Sequence, residues 1–275
     1  MPEHDFKNGI VYIDGTYYQP QYAKISVFDH AVLYGDGVYD TIRVYNGKAF
    51  RLKDHLKRLG ESAQKMSIYL PKNLKNIIKE TYRKSQMKDA FIRIIITRGI
   101  GPMGVNPKDC KSSVIIMVVK RPENNKPVKV ITFPFSRNFA DIKSLNYMTS
   151  VMAKIYALKK GFDDAILMMT LVGGAENITE ATTDNVFIVK NKIIYTPRGG
   201  ILEGITKEVI MNKFKIYKDF IRLKRILETD EIFLAGTGAG IIPVIQVNDR
   251  KLKVGPITKK IMKWYEKEKL KGELL

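Results

Sequence analysis

Cys110 is the only cysteine in a chain of 275 residues, so no intramolecular disulfide can form and a cysteine-based metal site is excluded. Histidine is nearly as scarce. His4, His30 and His55 make no HxxxH or HExxH spacing, and no metal is expected. No apolar run approaches the roughly 18 residues that mark a membrane span. The opening Met-Pro-Glu-His-Asp-Phe-Lys lacks the apolar core of a signal peptide. A cytoplasmic protein with no membrane role is the expectation. Acidic residues are also few, 28 against 47 Lys and Arg, giving a net charge of +19. The excess is scattered along the chain, and the densest stretch, 259–271, is interleaved with Glu266 and Glu268. With no nucleic-acid-binding motif present, the charge reads as a lysine-rich surface rather than a nucleic-acid footprint.

Hydrophobic residues make up 45% of the chain, enough for one large core or two ordinary ones. Strand-like segments at 9–14, 24–28 and 37–45 open the sequence, the last ending at the hairpin signal Asn46-Gly47. From Arg51 the period changes. Leu52, His55, Leu56, Leu59, Ala63 and Met66 recur at three and four residues, which predicts a helix with one buried face. A second helix is expected over 73–86, then strands over 90–97 and 112–119. The run Arg-Pro-Glu-Asn-Asn-Lys-Pro at 121–127 carries no apolar residue and marks a linker. Beyond it the pattern predicts a strand over 128–133 and a helix over 147–160 with Met148, Val151, Met152 and Ile155 on one face. Strands are expected over 164–169, 186–189, 193–195, 231–235 and 241–247. Helices are expected from Ile205, running to Phe214, and from Ile257. The expectation is two mixed α/β domains, 1–120 and 129–275, joined by residues 121–128, with small-molecule sites favoured at such a junction.

Several short patterns suit ligand chemistry, and each also has an ordinary structural reading. Lys143 lies between a strand-like run and a helix; an amine placed there can condense with an aldehyde once its proton affinity is lowered, or be a solvated surface charge. Arg51 opens a helix and can grip phosphate oxygens, or be a first-turn arginine in water. Gly204-Ile205-Thr206 at a helix start offers free N–H groups and a hydroxyl to an anion, or is a simple N-cap. Gly236-Thr237-Gly238-Ala239-Gly240 lets backbone approach a ligand, as ligand-free glycine turns also do. Glu180 could face a protonated ring nitrogen or be a loop carboxylate. Gly99-Ile100-Gly101-Pro102-Met103-Gly104 spells GxGxxG, but Pro107 follows too soon for a helix and no ribose-binding acid is evident, so a dinucleotide site is not expected.

Together and in order, these residues resemble the fold-type IV pyridoxal phosphate enzymes of aminotransferase class IV. The resemblance covers nearly the whole chain. It rests on Tyr12-Ile13-Asp14-Gly15, Ser26 to His30, Tyr34 to Tyr39, Arg51 with His55-Leu56-Lys57-Arg58-Leu59, Lys143 to Tyr147, Thr179-Glu180, Gly204-Ile205-Thr206 and Gly236-Thr237. It implies a small N-terminal α/β domain, a larger C-terminal pseudo-barrel α/β domain, and pyridoxal 5'-phosphate as cofactor. It makes Lys143 the Schiff-base lysine and proton carrier, and Glu180 the partner of the pyridinium nitrogen. Tyr147 becomes the donor to the phenolic oxygen, and Arg51, Ile205, Thr206 and Thr237 the phosphate holders. The family's site lies between the domains and is completed by a partner subunit, so a homodimer is the smallest expected working unit. Amino acids and 2-oxo acids are the expected small-molecule partners.

The subfamily turns on fewer residues. Tyr34, Arg43, Arg93 and the whole loop Arg98 to Gly104 are similar to branched-chain aminotransferases, while Tyr39, Asp40, Thr41 and Phe91 depart from that group's Phe, Glu, Gly and Tyr. Tyr39 is similar to D-amino acid transaminases. Their Arg-x-His carboxylate trap would align with Met103 and Val105, so Arg43 or Arg98 would have to replace it. Thr41 is similar to the threonine of aminodeoxychorismate lyases, which assists loss of pyruvate. The resemblance thus implies a substrate-facing set of Tyr34, Tyr39, Thr41, Arg43, Arg93, Arg98 and Gly238. Branched-chain-like transamination of L-amino acids stands first, because the loop spans the most residues; D-amino acid transamination follows, then the lyase.

Overall fold

The computed structural model describes residues 8–120, 124–171 and 173–275. They form two compact units. One comprises the chain up to residue 120 with Ile142–Asn146 and Lys269–Leu275; the other comprises 124–141 and Tyr147–Glu268. The Lys143 segment and the last seven residues therefore pack with the first unit, although they follow position 129 in sequence. Of the expected linker, residues 121–123 lie outside the described residues, and 124–127 are exposed without regular structure.

The first unit holds β1 (Ile10–Ile13), β2 (Thr16–Tyr18), α1 (His30–Tyr34), β3 (Gly37–Tyr45), β4 (Lys48–Phe50), α2 (Leu52–Lys65), α3 (Leu74–Ser85), β5 (Ala90–Thr97) and β6 (Ser113–Val119). A strand near the C-terminus, Gly272–Leu274, pairs antiparallel with β4 and completes a seven-stranded sheet. Its central strands alternate as period-two pleating requires. Val38, Ile42 and Val44 of β3 and Ile92, Ile94 and Ile96 of β5 pack against Leu52, Leu59 and Ala63 of α2 and Ile78 of α3. Burying one such side chain contributes about 1.5–3 kcal/mol. The opposite face of the same strands carries Tyr39, Thr41, Arg43, Phe91 and Arg93. The strand expected at 24–28 is absent. Ile25, Val27 and Phe28 are exposed, and the chain turns there, Asp29 N donating to Ser26 O, before Asp29 caps α1.

The second unit begins with β7 (Val128–Phe133), α4 (Met148–Lys159), β8 (Asp164–Thr170), β9 (Glu176–Ala181), β10 (Asn185–Lys190), β11 (Ile193–Pro197) and α5 (Ile205–Met211). It continues with β12 (Ile216–Asp219), α6 (Leu223–Leu227), β13 (Glu231–Gly236), β14 (Gly240–Val247), β15 (Arg250–Lys251) and α7 (Pro256–Glu268). Strands β10, β13, β14, β7, β8 and β9 pair in succession, and β9 pairs back to β10 through Asn185 and Glu180. Six strands thus close a small barrel, as the pseudo-barrel expectation requires. α5 stops at Met211, three residues short of the expected end at Phe214. The apolar face expected on α4 points outward: Met148, Val151, Met152 and Ile155 are exposed, while Ser150, Ala153 and Ala157 are buried. Small residues let the helix lie close to β7 and β8, and close packing outweighs side-chain size here. Among the described residues no helix is long and apolar enough to cross a membrane.

Candidate active site

In the first unit the segment around Lys143 adds to the free edge of β3. Tyr39 N donates to Lys143 O at 2.9 Å, Leu145 N donates to Gly37 O at 2.9 Å, and Val38 bridges Ser144. This antiparallel register puts Lys143 opposite Tyr39, on the sheet face turned away from α2. The Lys143 side chain is buried, with Nζ 4.6 Å from the centre of the Tyr39 ring. Arg93 approaches the same ring at 4.2 Å. Arg93 is paired in register with Thr41, and Arg43 with Phe91, over whose ring its guanidinium lies at 5.0 Å. The structure therefore gathers Lys143, Tyr39, Thr41, Arg43 and Arg93 on one sheet face. Arg93 Nε is buried and makes no hydrogen bond among the described residues.

Arg98 belongs elsewhere. Its Nε and Nη2 donate to the two Asp36 carboxylate oxygens at 2.9 and 3.1 Å, and its Nη atoms also donate to the Ser67 and Met66 carbonyls. These bonds tie the loops together and fix the orientation of the Arg98 guanidinium. Tyr34 ends α1 and accepts from Gly104 N at 2.5 Å, holding the glycine loop. Arg51 is the left-handed residue (φ 54°) before α2, and its Nε lies 2.5 Å from Asp54 Oδ2.

In the second unit Glu180, whose ordinary alternative was a loop carboxylate, lies on the strand β9, where Asn177, Thr179 and Glu180 are buried. Glu180 Oε1 accepts from Arg137 Nη1 at 3.2 Å and Oε2 from Leu202 N at 3.0 Å. The Arg137 guanidinium also lies 5.3 Å from the Tyr147 ring centre. Glu180, Arg137 and Tyr147 thus form one cluster, and Arg137 is a member that sequence reasoning did not single out.

Asp184 and Asn185 fix the two candidate phosphate loops. Asn185 Nδ2 donates to Leu202 O at 2.9 Å, and a Cβ on Gly204 would stand 2.0 Å from Asn185 Oδ1. A Cβ on Gly236 would stand 1.8 Å from Asp184 Oδ1. Only glycine allows these approaches. They bring the start of α5, with Ile205 and Thr206 buried in its first turn, and the Thr237-Gly238 turn to the two sides of β10's first residues. First-turn amides lack intrahelical acceptors. Gly238, by contrast, has open space where its Cβ would be. Lys207 was also missed. It is wholly buried on α5 and donates to Glu203 Oε2 at 3.0 Å. Burial pushes the Lys207 amine down, against the pull of Glu203. Burial would raise the Glu203 carboxyl, but Lys207 and Lys218 hold it below its ordinary value.

In the first unit a buried amine lies on an aromatic face; in the second, a buried carboxylate with a phenol nearby and first-turn amides beside an open glycine turn suit a ring nitrogen and a phosphate. Among the described residues no group of three or more His, Cys, Asp or Glu is placed to hold a metal ion. Comparison with known proteins points the same way. The chain is 36% identical to a protein of Methanocaldococcus jannaschii provisionally named branched-chain-amino-acid aminotransferase, over 95% of both chains. It is 31% identical to a D-alanine aminotransferase of Staphylococcus aureus, over 94% of this chain and 96% of that one. Its fold matches the crystal structure of the branched-chain aminotransferase of the thermophilic archaeon Thermoproteus uzoniensis with norvaline, with a TM-score of 0.84 and 29% identity, covering 94% of this chain and 93% of that one. The amino-transferase class IV family matches residues 37–247, a span that takes in β3, Lys143, the barrel strands and both glycine loops, and the chain belongs to that family of enzymes.

Proposed function

We propose that this enzyme moves the amino group of a branched-chain or similar aliphatic L-amino acid to a 2-oxo acid such as 2-oxoglutarate, using pyridoxal 5'-phosphate held by Lys143. The observation that carries the reading is the buried Lys143 amine on the sheet face that also bears Tyr39, Thr41, Arg43 and Arg93. When bound, pyridoxal phosphate supplies an aldehyde that condenses with amines and a protonated ring that draws electrons from the substrate Cα. Glu180, bonded by Arg137 and the Leu202 amide, would pair with the ring nitrogen and favour its protonated form. Tyr147 would donate to the ring's phenolic oxygen. Arg51, the Ile205 and Thr206 amides and the Thr237 hydroxyl would bind the phosphate. Lys143 Nζ would be the group that takes up and returns the substrate Cα proton. Arg93, whose Nε is buried, or Arg98, oriented by Asp36, would receive an acidic side chain, and Arg43 would be a second carboxylate receptor. Tyr34 would line the substrate side through the loop it holds, and Gly238 leaves room beside Thr237.

The exposed apolar side chains of α4, Met148, Val151, Met152 and Ile155, support a homodimer as the working unit, since such a patch seeks a partner. A second reading, D-amino acid transamination, is favoured by Tyr39 and by the similarity to D-alanine aminotransferases.

Incubation of purified protein with pyridoxal phosphate and 2-oxoglutarate, plus L-leucine or D-alanine, separates the readings through the glutamate formed. Glutamate from L-leucine alone supports the first reading, and from D-alanine alone the second. Glutamate from neither, with pyruvate released from aminodeoxychorismate, would replace both with the Thr41-assisted lyase.

A further inference from the structure

The strand Gly272–Leu274, β16, is held both by β4 and by α3. Gly272 pairs with Phe50, Glu273 with Ala49 and Leu274 with Lys48, and Leu275 N donates to Gly47 O at 3.3 Å. Glu273 Oε1 lies 2.7 Å from Lys75 Nζ and 3.6 Å from Lys79 Nζ, and Lys79 also donates to Leu274 O at 3.4 Å. Leu275 packs against the apolar core of the unit. A Cβ on Gly272 would stand 2.7 Å from Ala49 O and 2.9 Å from the Lys48 carbonyl carbon. Only glycine lets the two backbones come this close.

The strand that β16 grips leads directly into Arg51. The register of β4 with β3 pairs Lys48 with Tyr45 and Ala49 with Val44, and ends there. At Phe50, the residue before Arg51, the strand partner is therefore Gly272. Arg51 then takes the left-handed conformation, φ 54° and ψ 35°, in which a Cβ crowds the backbone and which residues other than glycine seldom adopt. Such a conformation persists where the surrounding chain fixes it. On the far side Arg51 O accepts from Asp54 N at 3.0 Å and from His55 N at 3.1 Å, closing the first turn of α2. On the near side the fixed residue is Phe50, buried and paired with Gly272. The left-handed turn sets where the Arg51 side chain starts, and Asp54 holds its guanidinium.

We propose that Gly272 and the strand it opens are positioning residues for Arg51, holding the left-handed turn that aims its guanidinium at the cofactor phosphate. This rests on the reading of Arg51 as a phosphate holder. The full chain, prepared without cofactor, is titrated calorimetrically with pyridoxal 5'-phosphate and with pyridoxal, which lacks the phosphate, and the ratio of the two dissociation constants is compared. Arg51→Gln is expected to reduce the preference for the phosphorylated compound by about tenfold. Gly272→Val, which drives β16 off β4, is expected to reduce it by roughly three- to tenfold, with pyridoxal itself bound as by the parent. The double variant Arg51→Gln/Gly272→Val should lose no more than Arg51→Gln alone, whereas a merely structural defect would weaken both compounds alike. Hydrogen exchange at the Arg51 and Leu52 amides is expected to be faster in Gly272→Val than in the parent. Should Gly272→Val fail to fold, Glu273→Lys, which turns attraction to Lys75 and Lys79 into repulsion, carries the same test. A parent-like ratio in every folded variant overturns the proposal. If the parent itself shows no preference for the phosphorylated compound, the phosphate reading of Arg51 is the one that fails. Faster exchange at Arg51 and Leu52 then still upholds the grip of β16 on the turn, and unchanged exchange overturns that as well.

Discussion

Asp40 and Glu180 are both buried carboxylates bonded to an arginine, and the regions around them are organised differently. Asp40 sits on the helix side of an antiparallel sheet, and its side-chain partners come from the adjacent helix, 15 and 18 residues away. Glu180 sits where β9 meets β10 to close a barrel. Its partners come from 43 residues before it and 22 after it, one of them a backbone amide. Burial would raise the Asp40 carboxyl, but the charges of Arg58 and His55 and the hydrogen bonds of both hold it well below the usual carboxylate range. Similar chemistry serves two ends: Asp40 faces away from the residues assigned to catalysis, and Glu180 belongs with Tyr147 among them. Which face of a strand a carboxylate occupies decides whether it braces a site or takes part in it.

The contrast can be broken most sharply at Lys143. Lys143→Ala is expected to lower turnover by about a thousandfold or more while the melting temperature moves by only roughly 2–3 °C; normal turnover in that variant would remove Lys143 from the chemistry. Asp40→Asn is expected to act first on stability. It removes the buried charge to which His55 and Arg58 are bonded, at about 3–5 kcal/mol, read from the urea midpoint. Glu180→Gln is expected to act on kcat, by about a hundredfold, and steady-state rates that match the parent would place Glu180 with Asp40 among the braces.

Acid sharpens the same comparison. The folded Asp40 carboxyl titrates below the unfolded one, so the unfolded chain takes up the proton first as pH falls. Its stabilisation is complete above the ordinary carboxylate range and is lost as the pH drops through it. His55 acts in the same direction: burial lowers it from 6.5, so its contribution is whole above about that pH and declines below it. Urea midpoints measured from about pH 8 to pH 4 should fall for the parent.

The smallest effects distinguish two glycines. Gly204→Ala meets Asn185 Oδ1 and should cost about 1–3 kcal/mol. Gly238→Ala meets nothing and should stay within about 0.5 kcal/mol of the parent in thermal melts. An equal loss in both would mean that the two loops are not held as Asp184 and Asn185 suggest.

The long periodic elements were legible because burial of one face writes itself into spacing: β3, β5, β7, α2, α3 and α7 lie where apolar residues repeat at two or at three and four. β9 was not legible, since Asn177, Thr179 and Glu180 are buried by hydrogen bonding rather than by apolar character. α4 misled for the opposite reason. Its large apolar residues face out, and alanines with a serine face in. Arg98 stands in a motif that resembles a substrate group, and only the structure shows that Asp36 and the Met66 and Ser67 carbonyls hold its guanidinium.

The sequence by itself determined that Lys143, Glu180, the two glycine loops and Arg51 belong to one family pattern, because each needs a particular residue type at a particular chain position. Tertiary structure alone decided which of them meet. The register of the Lys143 segment on β3 puts the amine opposite Tyr39, barrel closure at Asn185 gathers Glu180 with the start of α5, and α2 turns Asp40 into a buried brace. These are contacts between residues tens of positions apart. Packing and hydrogen bonding select them, and local spacing does not encode them.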